Sequence, residues 1–310
     1  MRVLIVVVWL FFAQTGAVPS RGLSRFEAAH YDGDGITVFP LGGKEFSVQF
    51  PRNAPATANL IGFASSGRSA YLQEPSATLL HRSGELIQVE FSTSRLFPVP
   101  GSGGLGEIIS VTNSASGNLL VAAAYGQGVC GAYEIDAING TRRSILTVPA
   151  QPDCKFGVKQ VEPGGKRVLI GDFLNFKVVD VLTGAVELSG TGRGTWSPDG
   201  KWLAVARKGE IVLFDGGTYA VRRRFRASSI DGHLVWSPES RRILFAQQEP
   251  RCLLSDDSES LAVLDVDAGN KWVISSSHCM VTNSQIGWVD MSVFSPTERT
   301  LPPKRRLPYH

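Results

Sequence analysis

The chain has almost no charge imbalance, few cysteines, and no apolar run after its first residues that could cross a bilayer. Its 31 Lys and Arg against 28 Asp and Glu leave a net charge of +3. That is too small to point to nucleic acid or an anionic membrane as partner. The four cysteines, Cys130, Cys154, Cys252 and Cys279, include no C-x-x-C pair, and only His278 lies beside one of them, which argues against a zinc site. The histidines His30, His81, His233, His278 and His310 show no ligand spacing on any one element, and there is no G-x-S-x-G elbow. No nucleophile or acid–base constellation stands out, so no catalytic residue is assigned. What is abundant is turn-forming residue, 33 Gly and 17 Pro, which suits many short strands joined by turns.

The start of the chain reads as a secretory signal peptide over residues 1–17. Arg2 gives the positive n-region, Val3 to Ala13 the apolar core, and Ala13-Gln-Thr15 or Thr15-Gly-Ala17 a small-residue cleavage site. An uncleaved anchor is the rival reading. No cysteine follows the apolar run, which argues against a lipoprotein anchor. An exported chain with an even cysteine count favours disulfides, of which four cysteines allow three pairings.

A short motif returns along the rest of the chain. It is clearest as Trp196-Ser-Pro-Asp-Gly-Lys201 and Trp236-Ser-Pro-Glu-Ser240, with echoes at Val161-Glu-Pro-Gly-Gly-Lys166 and Phe294-Ser-Pro-Thr-Glu298. Apolar stretches follow the first copies, as in Trp202-Leu-Ala-Val-Ala206 and Arg242-Ile-Leu-Phe-Ala246. Equivalent positions run Ser65, Ala115, Pro163, Pro198, Pro238 and Pro296, at intervals of 50, 48, 35, 40 and 58 residues. The long last interval is assigned to an insertion from Gln247 to Ser260. The copy at 196 continues as a strand over Gly209 to Asp215, with alternating Ile211 and Leu213, a glycine turn, and a strand over Tyr219 to Phe225. Four antiparallel strands per repeat, six times over, predict an all-β, six-bladed β-propeller. A seven-bladed ring is the alternative.

The ends of the chain complete this count. Gly35–Phe39 and Glu45–Phe50 read as a hairpin with no Ser-Pro-Asp-Gly turn of its own, and too little chain follows Pro296 for three more strands. The last blade is therefore shared: an inner strand around Ile286 to Phe294 from the C-terminus and outer strands from the N-terminus. Residues 18–300 form the propeller, and 301–310 a basic tail expected to be disordered. Cys130 precedes a third strand and Cys154 follows the fourth of the same blade. Cys252 and Cys279 hold the same places in another blade, which pairs Cys130 with Cys154 and Cys252 with Cys279. Each bridge would contribute roughly 3–4 kcal/mol on the chain-entropy model.

Trp196-Ser-Pro-Asp-Gly-Lys201 followed by Trp202-Leu-Ala-Val205 resembles the WD40-like (PD40-type) repeat of TolB-type propellers, which also occurs in the propellers of prolyl-oligopeptidase-like enzymes. The match is good over about 190–250. The resemblance implies the blade and no particular activity. The chain leaves no room for TolB's own N-terminal domain and carries no hydrolase domain.

Other motifs have plain explanations. Gly101-Ser-Gly-Gly-Leu-Gly106 matches G-x-G-x-x-G but lies between Pro98 and an expected strand, so it reads as an inter-blade loop. Asp32-Gly-Asp34-Gly35 lacks the later ligands of a calcium loop and reads as a turn. Asn139-Gly140-Thr141 is a glycosylation sequon and also an Asn-Gly hairpin turn. Arg222-Arg-Arg-Phe-Arg226 reads as a solvated outer strand, with docking of an acidic partner as the rival.

The chain is thus expected to be an exported, monomeric, non-enzymatic scaffold, periplasmic or secreted. It would bind a protein or cell-envelope component through loops of one face, including Gln247–Ser260 and Gly126–Gly131. The alternative is a small-molecule enzyme, lactonase- or lyase-like, with a metal-dependent site in the central tunnel. No cofactor is assigned, although a tunnel calcium stays open because some six-bladed propellers hold one. The inner strands Thr195-Trp196 and His233-Leu-Val-Trp236 are mostly apolar, which weighs against the enzyme; His233 and Asp290 are the polar candidates there.

Overall fold

The computed structural model describes residues 25–31, 35–40, 45–50, 59–73, 85–114, 116–126, 129–149, 157–172, 174–227, 230–248, 259–280 and 286–294. These form 24 strands in six four-stranded antiparallel sheets. Blade 1 holds β4 (Asn59–Phe63), β5 (Ser69–Gln73), β6 (Leu86–Glu90) and β7 (Arg95–Pro98). Blade 2 holds β8 (Glu107–Asn113), β9 (Leu119–Gly126), β10 (Val129–Ile135) and β11 (Arg142–Pro149). Blade 3 holds β12 (Gly157–Val161), β13 (Arg167–Gly171), β14 (Asn175–Asp180) and β15 (Val186–Thr191). Blade 4 holds β16 (Arg193–Trp196), β17 (Trp202–Arg207), β18 (Glu210–Asp215) and β19 (Val221–Arg226). Blade 5 holds β20 (Ile230–Trp236), β21 (Arg242–Gln248), β22 (Glu259–Asp265) and β23 (Lys271–Met280). The closing blade takes β24 (Ile286–Asp290) from the C-terminal side and β1 (Phe26–Tyr31), β2 (Gly35–Phe39) and β3 (Phe46–Gln49) from the N-terminal side. Six blades and a shared last blade are what the repeat spacing predicts. The strand β1 is an addition to that expectation. The inner strands β24, β4, β8, β12, β16 and β20 follow in that order around the ring, β12 meeting β16 through the bond that Trp196 N donates to Gln160 Oε1.

The core lies between blades. Leu203, Val205, Val212 and Phe214 pack against Leu169, Phe176 and Val178 of blade 3, while Ala204, Ala206, Ile211 and Leu213 pack against Leu234, Ile243 and Phe245 of blade 5. Both faces of a middle strand are therefore covered. The two-faced alternation expected at Ile211 and Leu213 is present, and because both faces are covered it gives a continuous buried run from Ile211 to Phe214. A strand buried on both sides selects apolar residues at every position. The outermost strand β19 has only one neighbour and is exposed almost throughout.

The repeated turn owes its sequence to hydrogen bonding. Ser197 Oγ donates to Asp199 Oδ1 at 2.7 Å and accepts from Trp202 N at 3.0 Å, and Gly200 takes a positive φ of 69°. Ser237 Oγ accepts from Arg242 N in the next copy, and Ser240 Oγ accepts from Asp199 N, which ties the turns of blades 4 and 5 together. Ser197 is fully buried, so Ser197→Ala leaves the Trp202 amide without its acceptor. The expected cost is about 1–3 kcal/mol, read as a lower urea midpoint with unchanged m-value; an unshifted midpoint would refute this role.

The same pattern corrects one position. In five blades the turn carries an i+3 amide bond: Gly67 to Ala64, Gly117 to Ser114, Gly165 to Glu162, Gly200 to Ser197 and Ser240 to Ser237. The closing blade makes it from Phe294 N to Met291 O, over the 3₁₀ turn Met291–Val293. Its turn is thus Met291-Ser-Val-Phe294, not Ser295-Pro296, and β24 ends at Asp290 rather than Phe294. Pro296 itself lies outside the described residues.

A second repeated turn joins the third and fourth strands. Asp136, Asp180, Asp215 and Asp265 each accept, through their backbone carbonyl, the amide of the residue four further on: Gly140, Gly184, Tyr219 and Gly269. Their carboxylates cap amides inside the turn, as Asp215 Oδ1 does for Thr218 N at 2.9 Å. That bond, then the one from Arg222, holds the Asp215 carboxyl down at about 2. The fourth-position residue has positive φ in every copy, and Tyr219 adopts it at 57° where the other three are glycine. Tyr219 is held there by its hydroxyl donating to Glu187 Oε2 at 2.8 Å and by its ring against Trp196 and the Arg167 guanidinium.

Candidate functional site

A cavity of about 1320 Å³ runs along the ring axis, bounded by the inner strands and the ends of their connections. The inner strands are stitched by backbone acceptors: Trp236 Nε1 donates to Thr195 O at 3.2 Å and Trp288 Nε1 to Val235 O at 3.0 Å. Lys159, Arg193 and Glu107 line the cavity from three adjacent blades, joined by Asp172 from the β13–β14 loop. These charges correct the expectation of a mostly apolar tunnel. Lys159 sits at a register irregularity in β12, between Val158 and Gln160, where a bulge re-aims a side chain. Its carbonyl accepts from Ser110 Oγ at 2.7 Å, which anchors the bulge to blade 2. Burial, and then the neighbouring Arg193, lower the pKa of the Lys159 ammonium; Asp172 and Glu107 act in the opposite direction without cancelling them. Asp172 Oδ1 accepts from Leu174 N and Asn175 N, whose bonds pull its carboxyl below the ordinary range.

Asp290, one of the two polar candidates on the inner strands, is a structural residue. It is fully buried and receives Arg25 Nη2 at 2.9 Å, Arg68 Nε at 3.2 Å and Ser292 N at 2.9 Å. Burial alone would raise its carboxyl, but the bonds from Arg25, Ser292 and Arg68 outweigh it and hold the group well below the usual carboxylate range. His233 lies in β20, but its side chain is outside the described residues. Among the described residues no three of His, Cys, Asp and Glu come together as a metal-ligating group.

The remaining motifs fall in the connections. Gly101–Gly106 links β7 to β8 with no helix, which removes the dinucleotide reading; Ser102 is buried there, accepting Leu86 N and donating to Val99 O. Asn139 sits in the β10–β11 turn with its side chain bonded to Asp136 and Thr141. Arg222 and Arg224 of β19 are paired with Asp215 and Glu210, and Arg223 reaches Val266 O and Asp267 O of blade 5. That strand is the exposed outer edge expected of it. Residues 32–34 and the basic tail lie outside the described residues. So do Cys154 and Cys252 and the side chains of Cys130 and Cys279, so the disulfide pairing does too. Strand pairing of Gln247 with Ser260 and of Gln248 with Glu259 narrows the expected insertion to 249–258, and pairing of Val129 with Gly126 narrows the 126–131 loop to 127–128. Among the described residues no helix is long and apolar enough to cross a membrane.

No protein family model matches the chain, and no curated protein matches it. Solved structures do. TolB from Acinetobacter baumannii superposes with a TM-score of 0.57 at 15% identity, over 85% of this chain and 66% of that one. This chain therefore spans just under two thirds of that protein. A putative TolB from Agrobacterium tumefaciens gives a TM-score of 0.54 at 14% identity, over 86% of this chain and 98% of the other. At such identities the likeness concerns the fold, and the chain carries a TolB-like six-bladed propeller.

Proposed function

We propose that this chain is an exported, non-enzymatic scaffold that binds a protein or cell-envelope partner through one face of the ring. One observation carries the reading. Among the described strands, every connection of seven or more residues joins strand ends on the same face: 50–58, 74–85, 99–106, 150–156 and 249–258. Among the described residues the other face carries turns of six residues or fewer, tied to one another as Asp199 is to Ser240 and Ser65 to Asn113. Variable loops on a rigid ring are where recognition usually sits. The likeness to TolB structures supports a scaffold, and the apolar segment after Arg2 supports export.

Crosslinking of the mature protein in its native envelope tests this. A reproducible protein partner, lost when 249–258 is replaced by a short glycine-containing turn, is the expected result. A partner retained by that variant, and by variants shortened at 74–85, would overturn the choice of face. Export also predicts oxidised cysteines. Non-reducing peptide mapping is expected to give Cys130–Cys154 and Cys252–Cys279. Free thiols or cross-blade pairs would refute the pairing.

A further inference from the structure

Blade 4 meets the loop face in a corner of unmatched positive charge. Arg207 closes β17, Lys208 stands in the turn to β18, and Arg226 closes β19. Arg207, Glu210 and Arg226 lie opposite one another in the sheet register, so their side chains leave the same face of the blade. That face is turned toward blade 3. The Arg207 guanidinium lies 5.8 Å from the Phe214 ring, and a β-carbon at Gly190 of β15 would stand 3.4 Å from its Nη2. Ala227 N donates to Gly209 O, which holds the end of β19 against the turn. Among the described residues none of the three cations has an ion pair or a side-chain hydrogen bond, and Arg207 Nε is buried without a partner. Glu210, the carboxylate between them, is taken on both oxygens by Arg224 Nη1. Asp172, in the adjoining turn of blade 3, is taken by the amides of Leu174 and Asn175. Other surface arginines are matched one to one, as Arg143 is with Glu134 and Arg241 with Asp267. The same corner carries an apolar side chain. Leu174 is 72% exposed, and its carbonyl accepts Gly192 N at 2.7 Å. A β-carbon at Gly192 would lie 3.1 Å from Arg207 Cγ, so Leu174, Gly192 and Arg207 adjoin. The connections here, 172–174, 192, 208–209 and 227–229, are too short to fold back over the corner.

We propose that this corner docks an acidic segment of the partner protein, with its carboxylates at Lys208 and Arg226 and an apolar side chain on Leu174. The proposal rests on the scaffold reading above and says where on the loop face the partner is held, and by what chemistry. Charge complementarity selects the occupant. Cations gathered at one corner repel one another, and an acidic partner relieves that repulsion while steering its own approach. Lys208 and Arg226 are exposed and supply the contacts. The Arg226 guanidinium can take a carboxylate through two parallel bonds, which fixes register as well as charge. Arg207 is half-buried and strengthens the positive potential from beneath, where screening by water is weaker. Leu174 favours a polypeptide, which offers acidic and apolar side chains within a few residues of each other. A phosphate polymer offers charge alone, and a membrane surface is held by a broader apolar face than one leucine.

The test follows, by fluorescence anisotropy, a labelled peptide with two glutamates on each side of a leucine as it binds the full mature protein. Binding is expected, and it should weaken as salt is raised from about 50 mM to about 500 mM. Lys208→Glu combined with Arg226→Glu should weaken it about tenfold and Leu174→Ser about threefold. Arg95→Glu, an exposed arginine in β7 of blade 1, should leave it unchanged. A peptide with glutamine in place of each glutamate should show no measurable binding. Urea midpoints within error of wild type keep loss of docking separate from loss of fold. Equal binding of the glutamine peptide, unchanged affinity in the charge-reversed double variant, an equal loss in Arg95→Glu, tighter binding of phosphatidylglycerol vesicles, or no binding of the glutamate peptide would each overturn the proposal. Envelope crosslinking separates this from the scaffold reading. A partner still captured by the double variant leaves the scaffold standing and removes this site, whereas no partner for either protein removes both.

Discussion

Asp290→Asn is expected to destabilise the ring at the point where the two chain ends meet. The carboxylate belongs to the C-terminal inner strand, while its partners Arg25 and Arg68 come from the entrance to β1 and from the first turn of blade 1. One buried acceptor therefore holds together three pieces of chain, and nothing covalent replaces it there. Removing the charge from a buried pair typically costs about 3–5 kcal/mol. Here the arginine side chains are 61% and 55% exposed and can rehydrate, so a loss of about 2–3 kcal/mol is expected. Urea unfolding at pH 7 reads it directly. The pH dependence gives an independent check. Because the folded carboxyl titrates below its unfolded value of about 3.9, its contribution is complete above that pH and is lost progressively as acid is added below it. The gap between wild type and variant should therefore be constant from pH 7 to about pH 5 and shrink below about pH 4. A gap that stayed unchanged at pH 3 would mean that the side chain acts through shape and not through its charge.

The blade was legible in the sequence because its turn is chemically demanding. A buried serine that both caps an amide and meets an aspartate, followed by a residue at positive φ, leaves few options, and Ser197-Pro-Asp-Gly200 and Ser237-Pro-Glu-Ser240 record that demand. The closing turn escaped because its demand is weaker. After Asp290 the chain need not reverse into a paired strand, since the partner strand β1 arrives from the other end of the chain. Met291-Ser-Val-Phe294 therefore keeps the hydrogen bond and loses the signature, and the Ser-Pro pair at 295–296 stood in for it by coincidence. The strand β1 was masked by Glu27, which is buried to 1% exposure and reads as a surface residue. The Asp turns were visible as Asp136 with Gly140, Asp180 with Gly184 and Asp265 with Gly269. The interruption at Tyr219, a non-glycine residue on positive φ, hid the period.

The candidate site was less legible for a geometric reason. The tunnel-facing set cannot be counted off as every second residue, because bulges shift the register in β4, β8, β12 and β20. Lys159 precedes the echo Val161-Glu-Pro163 and Arg193 precedes Thr195-Trp196, and nothing in either spacing marks them as facing the bore. Only the ring brings them to the lining of one cavity.

Gly287→Ala is expected to be among the most damaging single-methyl additions in the chain. Gly287 is the second residue of β24, which contacts β4 of blade 1 in the ring. A β-carbon at 287 would overlap the ring of Phe63, reaching its Cγ as well as its edge, so rotation of the ring about its own axis does not clear it. Phe63 is itself packed on Phe91 with centroids 6.2 Å apart, and Phe91 stacks on Phe294 at 6.0 Å, so the displaced ring pushes into the aromatic cluster that seals the closing blade. Interiors packed at crystal density have no slack for such a shift, and overpacking of this kind costs about 1–3 kcal/mol even where the backbone can yield. The top of that range or beyond is expected, because the strand beside it is the one that Asp290 must hold in register. Phe63→Leu removes the obstructing ring edge and should recover part of the loss. A double-mutant cycle would then show the pair less unstable than the sum of the single variants by about 1 kcal/mol or more. Additive effects would mean that the glycine is required for backbone conformation rather than for the passage of Phe63.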